Sequence, residues 1–125
     1  MAMIKVVVID PYTQTVYETR IDRGSLNAIY DTIGEGCDMF EAVYPMCLGG
    51  DCMFVDEEGK LGRQTAGFKM RPFEGDVLMG RAIILGTDED GNSASTIWTD
   101  YEIQEFVTGW VRIVAPEPAT AETAA

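Results

Sequence analysis

Short apolar stretches separated by turn residues open this chain and predict a β-hairpin followed by a helix. Residues 4–9 are mostly β-branched, residues 15–21 form a second such stretch, and an Asp-Pro turn lies between them. Ser25 then precedes apolar residues at helical spacing, and Gly34 or Gly36 follows them. This pattern predicts a helix with Ser25 as its N-cap and one of the two glycines at its end.

The next stretch predicts two more strands and a region of low regularity. Residues 37–46 indicate a strand whose Pro45 suits an edge or a bulge, and residues 51–55 indicate the returning strand. A Gly-Gly pair between them is typical of a two-residue hairpin turn. Residues 61–75 contain three glycines and mixed charge, and they predict a loop with at most one short strand.

The strongest local signals lie between residues 77 and 107, and the rest of the chain is expected to arrange itself around them. Residues 82–85 form an unbroken apolar run, typical of a central strand that is covered on both faces. Residues 88–92 are turn residues, and Thr99 with Glu102 forms a capping box that starts a helix. Four residues give this helix one apolar face: Ile103, Phe106, Val107 and Trp110.

Together these elements predict an α+β fold in a single domain over residues 1–115. The expected order is hairpin, helix, meander, helix, with residues 110–114 as a final edge strand. The sheet is expected to be mixed or antiparallel, with both helices packed on one of its faces. Residues 116–125 are rich in Pro, Ala and Thr, and they predict a disordered tail.

The chain is strongly acidic, which argues against several classes of function. It has 21 Asp and Glu residues against 9 Lys and Arg residues, a net charge of -12, and no histidine. Direct binding to nucleic acid or to an anionic membrane is not expected, because both need a basic patch. Without histidine the usual acid–base residue is missing, and we expect no enzymatic activity. No apolar run reaches about 20 residues and no secretory signal is evident, so a cytoplasmic protein is expected.

Three local patterns suggest site chemistry, but each has a simpler interpretation. Cys47 and Cys52 flank the Gly-Gly turn, yet three cysteines without histidine do not provide a zinc site, and core cysteines are favoured over a redox pair. Residues 88–92 match only the first ligand positions of a calcium loop. The acids at residues 56–58 are typical of a solvated turn. We therefore predict no catalytic residue, no metal and no cofactor.

Binding remains as the expected activity, and an acidic surface is the first candidate for it. Such a surface would engage a basic site on another protein, as the phosphates of nucleic acid do. Its candidate residues are Asp88, Asp90, Asp100, Glu102 and Glu105. The alternative interpretation is that these charges serve only solubility.

A pocket for a small nucleotide-like ligand is the second candidate. Four basic residues would rim it, and two phenylalanines would offer stacking surfaces. The candidate residues are Arg63, Phe68, Lys69, Arg71, Phe73 and Arg81. The alternative interpretation is that these bases balance nearby acids. The sequence predicts no particular oligomeric state.

Several short motifs, taken in order, resemble a known family. They are residues 5–11 (KVVVIDP), 21–22, 25–26, 33–34, 56–61 (DEEGKL), 80–86 (GRAIILG) and 99–103 (TDYEI). In this order they resemble the short proteins grouped as domain of unknown function 3846, found mainly in bacteriophages, prophages and mobile elements. Residues 63–73 depart from the Pro-Asn-containing stretch that the family usually has there. The resemblance implies an origin and no mechanism, since the family has no established activity.

These observations lead to one expectation and one alternative. We expect a non-enzymatic accessory protein of the host cytoplasm that binds a host protein with a basic surface. The binding would inhibit or modulate a host nucleic-acid or defence enzyme. The alternative is a protein that binds or sequesters a nucleotide-like ligand in the basic and aromatic pocket.

Overall fold

The computed structural model describes residues 3–34, 39–57, 64–71, 73 and 75–113. Within them the strand pairs are antiparallel. The strands are β1 (Met3–Asp10), β2 (Thr15–Asp22), β3 (Phe40–Val43), β4 (Cys52–Asp56), β5 (Ala66–Met70), β6 (Leu78–Met79), β7 (Ala82–Thr87), β8 (Ser93–Ala94) and β9 (Val107–Arg112). The helices are α1 (Leu26–Ile33), α2 (Asp100–Gln104) and a 3-10 helix at Met46–Leu48. The α+β class is confirmed, with strands predominating. The tail predicted at residues 116–125 lies outside the described residues.

Six of the strands form a large sheet, sheet A, with β7 at its centre. The strand order is β2-β1-β7-β4-β3, and β8 pairs with the end of β7. Alternate residues of β7 join two hydrophobic clusters on opposite faces of the sheet: Ala82 and Ile84 on one face, Ile83 and Leu85 on the other. The prediction of a central strand covered on both faces is confirmed.

Helix α1 covers one face of sheet A, and its ends follow the predicted signals. The Ser25 hydroxyl accepts a hydrogen bond from the Ala28 amide at 3.1 Å. Gly34 ends the helix with φ of 107°, a conformation that glycine adopts at little cost. Ile29 and Ile33 are buried against sheet A. The predicted N-cap and the predicted glycine end are both confirmed.

A second sheet, sheet B, covers the opposite face of sheet A. Its order is β6-β5-β9, and Phe68 of the middle strand is fully buried. Gly67 lets β6 approach closely, because a Cβ at this position would lie 2.6 Å from the backbone oxygen of Leu78. Residues 61–75, predicted as a loop with at most one short strand, therefore contain β5, the middle strand of sheet B.

The two helices lie on opposite faces of sheet A, so the prediction that both pack on one face is wrong. Ile29 and Ile33 of α1 belong to the cluster on one face, whereas Ile103 of α2 belongs to the cluster on the other. Sheet A has two apolar faces, and a single layer of helices would cover only one of them.

The capping box at the start of α2 is confirmed. The Glu102 amide donates to the Thr99 hydroxyl at 3.1 Å, and the Thr99 amide donates to the Glu102 carboxylate at 3.0 Å. Both members of the pair therefore satisfy an amide that has no partner within the helix.

The end of α2 differs from the prediction. The helix stops at Gln104, and Val107–Arg112 form β9 against β5. Phe106 and Trp110, predicted on one helical face, instead pack against the core from a turn and from a strand. Pairing with β5 overrides a helical spacing, because β-branched and aromatic residues also suit a strand.

Strands β3 and β4 pair with each other, but their connection is longer than a two-residue turn. Phe40 lies opposite Asp56 in the register of the pair. The chain between the strands passes through the 3-10 helix Met46–Leu48, whose last residue is fully buried. The Gly-Gly hairpin turn is thus a wrong prediction, because the connection extends to place Leu48 in the core.

Candidate functional site

Five side chains on and beside α2 form a largely exposed acidic surface, here called the α2 surface. They are Glu18, Asp100, Tyr101, Glu102 and Glu105. Glu18 lies on β2, and its carboxylate accepts a hydrogen bond from the Asp100 amide at 3.3 Å. The structure thus places a fourth carboxylate beside three that were predicted. Sequence reasoning missed Glu18 because it stands 82 residues before Asp100.

The predicted acids of the α2 surface differ in how much they contribute to local structure. Asp100 Oδ1 accepts a hydrogen bond from the Tyr101 amide at 2.7 Å, and Glu102 closes the capping box. Glu105 stands just after the helix with an exposed side chain. Together with Tyr101 it lines a shallow hollow of about 450 Å³. Glu105 is therefore the predicted acid whose charge is least explained by helix stability.

The two predicted acids in the turn after β7 lie apart from the α2 surface. Asp88 Oδ1 accepts hydrogen bonds from the Asp90 and Asn92 amides, each at 2.9 Å. The bond from the Asn92 amide is the main cause of a lowered pKa at Asp88. The carboxylate also lies 3.9 Å from the Arg23 guanidinium, just beyond β2. Glu18 stands four residues before the end of β2, roughly 13 Å along the strand, so the five predicted acids form two groups.

The predicted basic and aromatic residues are dispersed in the structure. Phe68 is fully buried between the sheets, whereas Lys69, the next residue of β5, is exposed. The Arg71 guanidinium donates to the Glu105 backbone oxygen at 2.7 Å. Arg63 lies outside the described residues. The two remaining residues of this set lie apart. Arg81 belongs to a polar network, and Phe73 lines a groove.

Arg81 joins the end of β1 to the end of α1. Its Nε lies 3.1 Å from Oδ2 of Asp10, which is buried. Its Nη1 donates to the Ile33 backbone oxygen at 3.4 Å, and the guanidinium lies 4.8 Å from the centroid of the Tyr12 ring. Nε and Nη1 of Arg81 are therefore both engaged within the protein.

Tyr12 extends this network to the start of β5. Its hydroxyl donates to the side-chain oxygen Oε1 of Gln64 and accepts from the Thr65 amide, and Gln64 Nε2 donates to Asp56 Oδ2 at 2.9 Å. Gln64 and Asp56 are both buried. We call the series Asp10, Arg81, Tyr12, Gln64 and Asp56 the polar tie. Buried polar groups bonded in this way hold one arrangement of the strands that carry them, and this structural role accounts for the network.

A groove of about 390 Å³ opens between the two sheets, beside β3 of sheet A and β6 of sheet B. Its apolar lining consists of Val43, Val55, Phe73, Val77, Leu78 and Met79. Its acidic lining consists of Glu41, Asp56, Glu57 and Asp76. No lysine or arginine is among the described residues that line it. The groove therefore combines an apolar surface with negative charge.

Sequence reasoning did not predict this groove. Its acids come from three separate stretches, at residue 41, at residues 56–57 and at residue 76, which only strand pairing brings together. The interpretation of residues 56–58 as a solvated turn is wrong for Asp56, which is buried and bonded to Gln64. Glu58 lies outside the described residues. Phe73, predicted for a ligand pocket, contributes an aromatic ring to the groove instead.

The two cysteines that the structure describes do not form a pair. Cys52 is buried in the cluster facing α1, whereas Cys47 packs against the cluster between the sheets. Burial raises the pKa of both thiols, which favours the protonated form of each at neutral pH. Among the described residues, no group of three or more His, Cys, Asp or Glu side chains is placed to hold a metal ion.

Comparison with known proteins identifies a family. The model described as a domain of unknown function (DUF3846) matches residues 4–110 of this chain. No curated protein and no solved structure shows significant similarity to it. In the part of the chain that the structure describes, none of the helices has the length and apolar character needed to cross a membrane.

Proposed function

The chain belongs to the DUF3846 family, and we propose that it is a non-enzymatic accessory protein of a phage or mobile element. In this proposal it acts in the host cytoplasm by binding a host protein that carries a basic surface. The binding inhibits or modulates a nucleic-acid or defence enzyme, whose basic surface otherwise holds nucleic acid. The net charge of -12 supports a basic partner and argues against direct binding to nucleic acid.

The observation that carries this proposal is the hollow at the α2 surface, where an acid and an aromatic ring lie side by side. Tyr101 is 75% exposed, and it lines the hollow together with Glu105. Tyrosine is enriched in protein interfaces because its ring adds contact area and its hydroxyl tolerates water. Ile97, two residues before the Thr99 cap, is a further exposed apolar side chain, at 81%.

The carboxylates around this hollow make the α2 surface negatively charged. Glu18, Asp100, Glu102 and Glu105 contribute four negative charges in the neighbourhood of one short helix. Charges arranged in this way attract a basic partner over several ångströms and suppress acidic competitors. Partner binding is therefore expected to weaken as the salt concentration rises.

Affinity purification from host-cell lysate with the full chain as bait tests the proposal. We expect a protein that wild type retains at low salt, that Glu105→Lys loses, and that wild type loses at about 1 M salt, where charges are screened within about 3 Å. Asp31→Lys is the matched control, since it makes the same charge change at an exposed position on α1, on the opposite face of sheet A. A partner recovered equally with Glu105→Lys, at low and at high salt, would contradict a role for the α2 surface.

A further inference from the structure

We propose that the groove between β3 and β6 binds an extended segment of a partner protein in which Lys or Arg alternates with apolar residues. The segment adds as a new strand to the outer edge of β3. This site is separate from the α2 surface, and the inference does not depend on the function proposed for that surface.

The outer edge of β3 is suited to pairing with an added strand. β3 is the last strand of sheet A, and within the described residues it pairs with β4 alone. With no further partner among the described residues, this outer edge offers backbone N–H and C=O groups that an added strand can bond. β6, on the other side of the groove, is likewise the last strand of sheet B and pairs with β5.

The side chains of β3 point to alternate faces, and this sets what an added strand meets. Glu41 and Val43 face the groove. Phe40 points to the other face, where its ring packs against Tyr30 and Phe54 with centroid distances of 5.1 and 4.9 Å. An added strand has the same period of two, so every second side chain of the guest enters the groove.

The residues that line the groove indicate which side chains the bound segment, the guest, should carry. Glu41 and Glu57 both line the groove, and their exposed side chains give it two negative charges. Lysine or arginine in the guest complements these charges, while Val43 and its apolar neighbours accept the aliphatic part of the same side chains. An acidic segment is repelled. The chain's own residues 116–125 contain two glutamates and no basic residue, so their charge does not suit this groove.

A defined peptide tests the inference. The probe is acetyl-Lys-Val-Lys-Val-Lys-Val-Lys-amide, titrated into the isotope-labelled full chain and followed by NMR and calorimetry. We expect saturable binding that shifts the amide signals of Phe40–Val43 and of Leu78–Met79. Glu41→Lys and Glu57→Lys, both at exposed positions, should each weaken binding about tenfold, while Glu105→Lys leaves it unchanged. The peptide with Glu in place of Lys should not bind.

Backbone pairing is tested separately from charge. The same Lys-Val peptide, N-methylated at every second residue on its pairing edge, keeps its charge but cannot donate to β3. We expect it to lose binding, as β-augmentation requires.

Any of four outcomes of the peptide experiments would overturn the inference. They are the absence of saturable binding, equal binding by the N-methylated peptide, unchanged affinity in Glu41→Lys, and signal shifts confined to the α2 surface. Slow hydrogen exchange at all β3 amides in the protein alone would also overturn it, because the outer edge would then already be covered by this chain.

Discussion

The two covers of sheet A, helix α1 on one face and sheet B on the other, are built in different ways. Helix α1 follows β2 directly in the chain, and its cap and its end are encoded by neighbouring residues. Sheet B is assembled from three strands between Ala66 and Arg112, with β7, β8 and α2 inserted among them. Local sequence signals therefore specify helix α1, whereas pairing between distant strands specifies sheet B.

The two covers also differ in what they bury. α1 inserts Ile29 and Ile33 into its cluster. Sheet B inserts Phe68 and Met70 of β5, both fully buried, together with partly buried neighbours from β9. The hydrophobic contribution grows with the apolar area removed from water, so the sheet B cover is expected to contribute more to stability.

Truncating the centre of each cover is expected to have the largest effect, and a larger one on sheet B. Phe68→Ala removes a fully buried ring from the middle strand of sheet B, and it should lower the free energy of unfolding by about 3–5 kcal/mol. Ile33→Ala removes a smaller side chain beneath α1 and should cost about 2–3 kcal/mol. Denaturant unfolding of both variants measures the difference.

The matched control for this pair is Lys69→Ala. Lys69 is next to Phe68 on β5 but is exposed, so the change should stay within about 0.5 kcal/mol. If Ile33→Ala costs as much as Phe68→Ala, the two covers contribute equally and the comparison fails.

Breaking the polar tie is expected to have the next largest effect, because Arg81 contacts α1 directly and is connected through Tyr12 to the residues before β5. It donates to the end of α1 and lies against Tyr12, which bonds the residue pair before β5. Arg81→Met leaves the buried Asp10 carboxylate without its cation and should cost about 2 kcal/mol. Thermal and denaturant unfolding provide the measurement.

Two further variants show whether charge is the reason for this loss. Adding Asp10→Asn to Arg81→Met removes the isolated charge, so the double variant should be more stable than Arg81→Met alone. Arg23→Met removes an arginine from an exposed ion pair and should change stability by less than about 0.5 kcal/mol. If the double variant is less stable than Arg81→Met, an unpaired charge at Asp10 is not the cause of the loss in Arg81→Met.

The smallest of these effects is expected at the one locally encoded element on the sheet B side, helix α2. Thr99→Ala removes the hydroxyl that accepts the Glu102 amide, and it should cost about 1 kcal/mol of unfolding free energy. Thr99→Ser keeps an acceptor at the same position and serves as the control. An unchanged denaturation midpoint in Thr99→Ala would show that the cap contributes nothing to the free energy of unfolding.

The elements that the sequence predicted correctly are those that neighbouring residues determine. The first hairpin, the Ser25 cap, the central run of β7 and the capping box of α2 need no information from elsewhere in the chain. The sequence predicted at most one short strand within residues 61–75 and did not place it, because glycines normally indicate turns, whereas Gly67 is needed for the close approach of β6. α2 was predicted too long because nothing near Val107 shows that β5 is available to pair with it.

The candidate sites follow the same rule. The acids of α2 were predicted because they are adjacent in the chain, whereas Glu18 joins them only through the packing of α2 beside β2. The groove could not be predicted, since Glu41, Glu57 and Asp76 meet only after both sheets have formed. The predicted basic and aromatic residues do not form one pocket, for a related reason. Phe68 and Lys69 are neighbours on a strand, and neighbours on a strand point to opposite faces.

The central position of β7 has a consequence for how the protein is made. β1 and β4 both pair with β7, yet β7 is synthesised after both of them. As the chain leaves the ribosome, the edges of β1 and β4 that pair with β7 remain open until residues 82–87 emerge and complete sheet A. Contacts so distant in sequence make folding slow, and the waiting edges invite association between nascent chains. A polypeptide that ends before β7 therefore keeps unpaired edges on β1 and β4 that can pair with other molecules.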